Sequence, residues 1–169
     1  MAVDHLSELI RELRNAYSAE LAAGFAYRGH WRSVRDAAQR ARIRQIEQEE
    51  WHHRQLVGGI LRHLGAKPNL LREVIFFAIG RILGLLCHLS GWFVPMYGAG
   101  FLERRNIVEY ERAAMHAYHC HREDLIDCLL TMAELEWEHE SYFRGNVSSH
   151  PALLWDAPPA KETIRAAFR

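Results

Sequence analysis

The sequence predicts an all-α protein: a four-helix bundle built from two helical hairpins that are joined by a long apolar crossover. Three observations predict it. Apolar residues recur in steps of three and four over four long windows, each window ends at turn-forming residues, and only five prolines interrupt 169 residues, three of them beyond position 150. A chain of this length forms one domain with a sizeable core. Lys plus Arg balances Asp plus Glu at 21 each, which gives no reason to expect nucleic acid as a partner. The three cysteines lack C-x-x-C spacing, so no disulfide framework or thiolate zinc site is expected. The N-terminus lacks a basic start followed by an apolar run, which predicts a cytoplasmic protein with reduced thiols.

The first helix starts at Asp4, a residue suited to capping. Its apolar positions are Leu6, Ile10, Leu13, Tyr17, Gly24, Tyr27 and Trp31. Glu20 fills the gap in this stripe, where an unpaired carboxylate would be costly to desolvate. Residues 33 to 36 predict a turn with Asp36 capping the second helix. That helix carries Ile43, Ile46, Glu50, His53, Val57, Ile60 and Leu64 inward. The overlapping Glu49/His52 pair falls on the face of Arg42, Gln45 and Leu56 and is assigned to solvent. Gly65 closes the helix and Pro68 prevents its resumption.

Residues 68 to 102 form the crossover, nearly free of polar side chains from Ile82 to Phe101. Gly84, Gly91, Pro95, Gly98 and Gly100 argue against one straight membrane-spanning helix. Three placements remain: a helix buried in the domain or in a homodimer interface, an interfacial membrane helix, or, least favoured, a true span. The third long helix is expected from near Glu103 to about His121, with Ile107, Val108, Glu111, Ala114, Met115 and Tyr118 inward. Glu109, on a more polar face, is the second candidate for its inward carboxylate. His116, His119 and His121 do not share one face and read as solvated groups at a helix C-terminus. The fourth helix runs from about Asp124 with Leu125, Leu129, Met132, Glu136, His139 and Phe143 inward, and Gly145 is expected to end it. The bundle thus spans 1–145, and 146–169 is a proline-containing tail with a short amphipathic piece.

The inward polar residues form a pattern. Glu50/His53 and Glu136/His139 are each three apart and so share a helix face. Glu20 precedes Glu50 by thirty residues and Glu111 precedes Glu136 by twenty-five, each pair straddling a short turn. Glu20 is followed by Ala23 and Tyr27, and Glu111 by Ala114 and Tyr118, at the same offsets. One Glu from each of two helices plus Glu-x-x-His from each of the other two is the ligand arrangement of dinuclear carboxylate sites in helical bundles. Four glutamates would neutralise two divalent ions, and oxygen donors with a few imidazoles suit iron or manganese. A purely structural bundle with polar layers is the competing account; it requires partners for all six residues, and the inward stripes offer no Arg or Lys.

These residues resemble the ferritin-like diiron superfamily and, within it, the demethoxyubiquinone hydroxylase family. Glu20 with Tyr27 and Gly29 is similar to that family's first-helix pattern, with His30 where a glutamine is expected. Glu50-x-x-His53 with Pro68 beyond it resembles the second helix, and Glu136-x-x-His139 the last. The resemblance covers most of residues 5 to 143. It implies a ferritin-like bundle in which Glu20, Glu50, Glu111 and Glu136 are carboxylate ligands and His53 and His139 nitrogen ligands of two iron ions. It also implies an oxygen-activating monooxygenase of ubiquinone biosynthesis. Its substrate would be an apolar small molecule, a quinone, reached where residues 70–102 make peripheral contact with the inner face of the membrane. Tyr27 and Tyr118 are candidates for hydrogen bonds to the ligands. Two competitors are a rubrerythrin- or ferritin-like oxidase that handles peroxide without an organic substrate, and a non-catalytic helical interaction module.

Overall fold

A computed structural model describes residues 3–150 and 156–168. The described residues are all-helical. Five α-helices, α1 (His5–Ser33), α2 (Ala37–His63), α3 (Leu70–Leu89), α4 (Phe93–His119) and α5 (Ile126–Val147), are joined by short turns, and 3-10 turns lie at Glu123–Leu125, Lys161–Thr163 and Ala166–Phe168. No helix among the described residues is long and apolar enough to cross a membrane. The chain divides into two compact units, Leu13–Pro95 and Met1–Glu12 with Met96–Arg169.

In the unit Leu13–Pro95, α1 and α2 form an antiparallel hairpin. Asp36 caps α2 by accepting a hydrogen bond from the Gln39 backbone N–H at 2.8 Å. Gly65 closes it at φ 68°, where Ala66 N–H bonds back to the Leu61 carbonyl at 2.8 Å and Gly65 N–H to that of Arg62 at 3.0 Å. This is a Schellman ending, which a residue with a Cβ fits poorly. The buried line of α2 holds Ile43, Ile46, Glu50, His53, Val57 and Ile60, as its periodicity predicts. That of α1 runs through Leu13, Ala16, Glu20, Gly24 and Tyr27, whereas Leu6, expected inside, is exposed and Leu9 is buried in its place. Asp4 caps α1, accepting from Ser7 N–H at 3.2 Å.

The hairpin is locked by a carboxylate that the periodicity did not single out. Glu47 of α2 accepts hydrogen bonds from Arg28 Nε and Trp31 Nε1, both at 2.7 Å, and from Trp51 Nε1 at 3.2 Å. Burial opposes its ionisation, but the donors of Trp31, Arg28 and Trp51 outweigh it and hold the carboxyl below its ordinary value of 4.5.

Helix α3 runs parallel to α1 and touches it backbone to backbone. A Cβ on Gly29 would fall on the Gly84 carbonyl, one on Gly80 would lie 2.5 Å from the Ala22 carbonyl oxygen, and one on Gly84 2.8 Å from that of Phe25. The start of α3 is tied down by Glu73, which accepts from Ser18 Oγ at 2.7 Å and pairs with Arg54. The crossover segment is thus two helices rather than one buried helix: Gly91, at φ 78°, separates α3 from α4. Its expected burial within the domain is not seen within its own unit. Only Gly80 and Gly84 of α3 are buried, while Leu71, Val74, Ile82, Leu85 and Leu89 are exposed.

In the other unit, α4 starts ten residues before the expected Glu103, with Pro95 in its first turn, where no intrahelical N–H is needed. Its buried line is Met96, Ala99, Glu103, Ile107, Tyr110, Ala113 and Ala117; Val108 and Tyr118, expected inside, are exposed. Leu125, Leu129, Met132, Glu136, His139 and Phe143 are buried as expected. Helix α5 continues through Gly145 to Val147 instead of ending there. The tail docks on α5: Arg165 bonds Glu134 at 2.5 Å and Asp127 at 2.6 Å, Lys161 meets Glu138 at 2.5 Å, and Trp137 Nε1 donates to the Pro159 carbonyl at 2.9 Å.

Replacing Gly29 by Ala forces α3 away from α1, and chemical denaturation is expected to show a loss of about 1–3 kcal/mol, the scale of overpacking; an unchanged midpoint would refute the backbone contact. For Glu47 the depressed folded pKa means that its contribution is complete above about pH 4.5 and is lost as the pH falls through the folded value. The stability gap between the parent and Glu47→Gln, followed by melting at a series of pH values, should be constant near neutrality and close only below that point.

Candidate metal centre

Helix α1 presents Glu20 and helix α2 presents Glu50 and His53, with 2%, 0% and 1% of their surfaces exposed. Each offers one ligand atom within 4.8 Å of those of the other two. Two features of the sequence bring them together. Glu50 and His53 occupy successive inward positions of α2, one turn apart, and the short turn at 34–36 folds α2 back so that His53 meets Glu20, with His53 Nδ1 3.9 Å from Glu20 Oε1. Trp51 turns the other way and covers Gly24, where a Cβ would lie 2.6 Å from the indole. The overlapping Glu49/His52 pair is on the outside as expected: Glu49 is held by Arg42 at 3.0 Å and His52 is exposed.

The other unit repeats this composition. Glu136 and His139 of α5 are both fully buried, with His139 Nδ1 3.3 Å from Glu136 Oε2. Glu103 of α4, 1% exposed, joins them, the ligand atoms of the three again within 4.8 Å of one another. Asn106 Nδ2 donates to Glu103 Oε2 at 2.9 Å and so orients the carboxylate. The adjacent Glu140 is also buried, but it is neutralised by Arg144, whose Nε lies 3.0 Å and 3.2 Å from its two oxygens.

The structure therefore brings Glu20, Glu50 and His53 together, and Glu136 and His139 together, but replaces the third-helix residue. Glu111 is half-buried, and burial alone raises its pKa; Glu109 lies on the flank and pairs with Arg105 at 3.4 Å. The reason is helical phase. Because α4 begins at Phe93, its buried line passes through Glu103, and position 111 is rotated by about 80° from it at 100° per residue. Tyr118 is also displaced: it is 52% exposed and packs edge-on against Phe168, with ring centroids 6.3 Å apart. Tyr110, 2% exposed, holds the buried position that Tyr118 was expected to fill, while Tyr27 is buried as expected. A signal for this was present in the sequence. Glu103 precedes Tyr110 by seven residues, as Glu20 precedes Tyr27.

Each triad thus supplies two carboxylates and one imidazole in a dry setting, the donor set of a hard to borderline divalent cation. The His Nδ1 to carboxylate distances of 3.3 Å and 3.9 Å bracket or approach the edge between two ligands of one ion with bonds of about 2.1 Å. No thiol is near enough to join either group: Cys87, Cys120 and Cys128 are in neither.

A cavity of about 590 Å³ opens elsewhere in the first unit, lined by His30, Val34, Cys87, His88 and Trp92 among others. His30 is ten residues beyond Glu20 on α1, about 15 Å along the helix axis. Burial lowers the His30 pKa to about 4, so its ring is neutral at physiological pH.

No protein-family model, curated protein or solved structure matches this chain.

The phase of α4 separates two ligand assignments that differ by eight residues. Glu103→Gln is expected to cut the metal retained after gel filtration to half or less of the parent's, with Glu111→Gln retaining the parental amount, as read by elemental analysis. The opposite ranking would restore Glu111.

Proposed function

We propose that the two triads together hold a pair of divalent ions, and that the protein is a diiron oxygen-activating oxidoreductase. The observation that carries this reading is the duplicated triad. Each unit buries one glutamate from one helix and a Glu-x-x-His pair from the next, with donor atoms within 4.8 Å. Glu20, Glu50, Glu103 and Glu136 would bring four negative charges to two divalent ions, making the assembly formally neutral, while His53 and His139 would each cap one ion. Iron is the expected metal, with manganese compatible with the same donors.

Bound iron would supply the electrons and coordination sites for dioxygen. The chain's own residues do the rest. The carboxylates fix the ions and compensate their charge, Asn106 orients Glu103, and the packed Leu129, Met132 and Phe143 on one hairpin and Ile46 and Val57 on the other exclude bulk water. Tyr27 and Tyr110, each seven residues beyond a ligand glutamate, are buried about two turns further along their helices.

The substrate class in this reading is an apolar small molecule, a quinone in first place, hydroxylated at a membrane surface on the cytoplasmic side. Its support is the outer face of α3, where Leu71, Val74, Ile82, Leu85 and Leu89 are exposed. A continuous apolar helix face of this kind lies readily in a bilayer interface. Oxidation of metal or peroxide without an organic substrate is the second reading, since the same donors serve it and no apolar surface is then required.

Protein purified from iron-supplemented cells should contain about two iron or manganese ions per chain by elemental analysis and sediment with phospholipid vesicles. Folded protein without metal would overturn the dinuclear reading. Metal without vesicle or quinone binding would overturn the hydroxylase reading and leave the oxidase.

A further inference from the structure

Three histidines meet at one end of the second unit, where no ligand of the dinuclear centre lies. His5 is the first residue of α1, and His116 and His119 lie one turn apart in the last turn of α4. His5 Nδ1 and His116 Nδ1 are 3.0 Å apart, and the His5 ring lies on that of His119 with centroids 4.6 Å apart and planes inclined by 32°. In the sequence His116, His119 and His121 do not all share one helix face, and periodicity gives no hint of His5, which is 111 residues from His116. Only the packing of the first turn of α1 beside the end of α4 gathers the three rings.

We propose that His5, His116 and His119 form a surface site for a late first-row divalent ion such as Zn²⁺, independent of the dinuclear centre. Two nitrogens at 3.0 Å need to part by only a few tenths of an ångström to reach the roughly 3.3 Å between neighbouring ligands on a tetrahedral ion with bonds of about 2.0–2.1 Å. Without an ion, two imidazole nitrogens at that distance must share one proton, because two N–H groups would repel and two lone pairs would also repel. A zinc ion satisfies both lone pairs at once. His119 is exposed and its ring packs against His5, so in this proposal a change of its rotamer would supply the third nitrogen. Three neutral imidazoles without carboxylates are softer donors than the internal triads, and they favour zinc, copper or nickel over the iron and manganese expected inside. The surroundings suit a cation. The site lies at the C-terminal end of α4, where the helix dipole is negative. Burial and the neighbouring His5 hold the His116 pKa below its ordinary value, which favours the neutral ring a metal needs, while Glu8 and Glu12 act in the opposite sense and Arg11 with the first two. Three protein ligands leave a fourth position open to water or to a donor from another molecule.

The test is calorimetric titration of Zn²⁺ into the full chain at pH 7.5, in the parent and in His5→Ala and His116→Ala. All three side chains are at least partly exposed, so helical content and melting temperature are expected to stay at the parental values, as circular dichroism would confirm. The expected result is loss of one zinc equivalent in both variants with iron content unchanged, and side-chain nitrogen resonances of His5 and His116 that shift together at one equivalent in the parent. Equal zinc stoichiometry in parent and variants, or shifts confined to other histidines, would overturn the site. The readout is a difference between proteins that share the same internal triads, so failure of the dinuclear reading leaves it interpretable.

Discussion

In each unit two carboxylates and one imidazole are withdrawn almost completely from water, and this desolvation constrains the rest of the structure. Glu50, Glu136 and His139 are fully buried, and Glu20, Glu103 and His53 nearly so. An ionised carboxylate in such a setting is tolerated only with compensating charge or a shared proton. The chain solves this in two different ways. At Glu47 and Glu140 it supplies arginine, from Arg28 and Arg144 respectively. At the triads two carboxylates and an imidazole gather within 4.8 Å, and the compensation proposed for them is metal.

The helices are shaped around that requirement. Tight antiparallel contact between α1 and α2 puts the Trp51 indole on Gly24, and Glu47 ties the two together beyond it. Helix α3 then lies against the back of α1 through Gly29, Gly80 and Gly84, an approach that only small residues permit. Because its glycines make the contact, the large side chains of α3 are left on the outside. Its apolarity is therefore not evidence of core packing, and the same residues that suggested a buried crossover supply an exposed apolar face.

The duplicated triad also shows how far helical periodicity reaches. Along α2 and α5 every predicted inward ligand position is buried, since the caps at Asp36 and the turn at 120–125 set the phase where the sequence signals placed it. Along α4 the stripe expected from periodicity lies one position away from the buried one. The apolar run before Glu103 conceals the start of the helix, and Val108, Met115 and Tyr118 are as apolar as the residues that are buried. Ile107, Tyr110, Ala113, Ala114 and Ala117 give a better line only once Met96 and Ala99 are known to belong to the same helix.

Sequence alone determined that the chain is helical, where its hairpin turns fall, and that Glu20, Glu50, His53, Glu136 and His139 point inward, because these follow from local periodicity and capping. Tertiary structure decided three further matters: that Glu103 rather than Glu111 completes the second triad, that α3 faces outward, and that His5 meets His116 and His119. Each depends on which helix faces touch. A helix of mixed apolar character allows several rotations about its own axis, and only contact with its neighbours selects one.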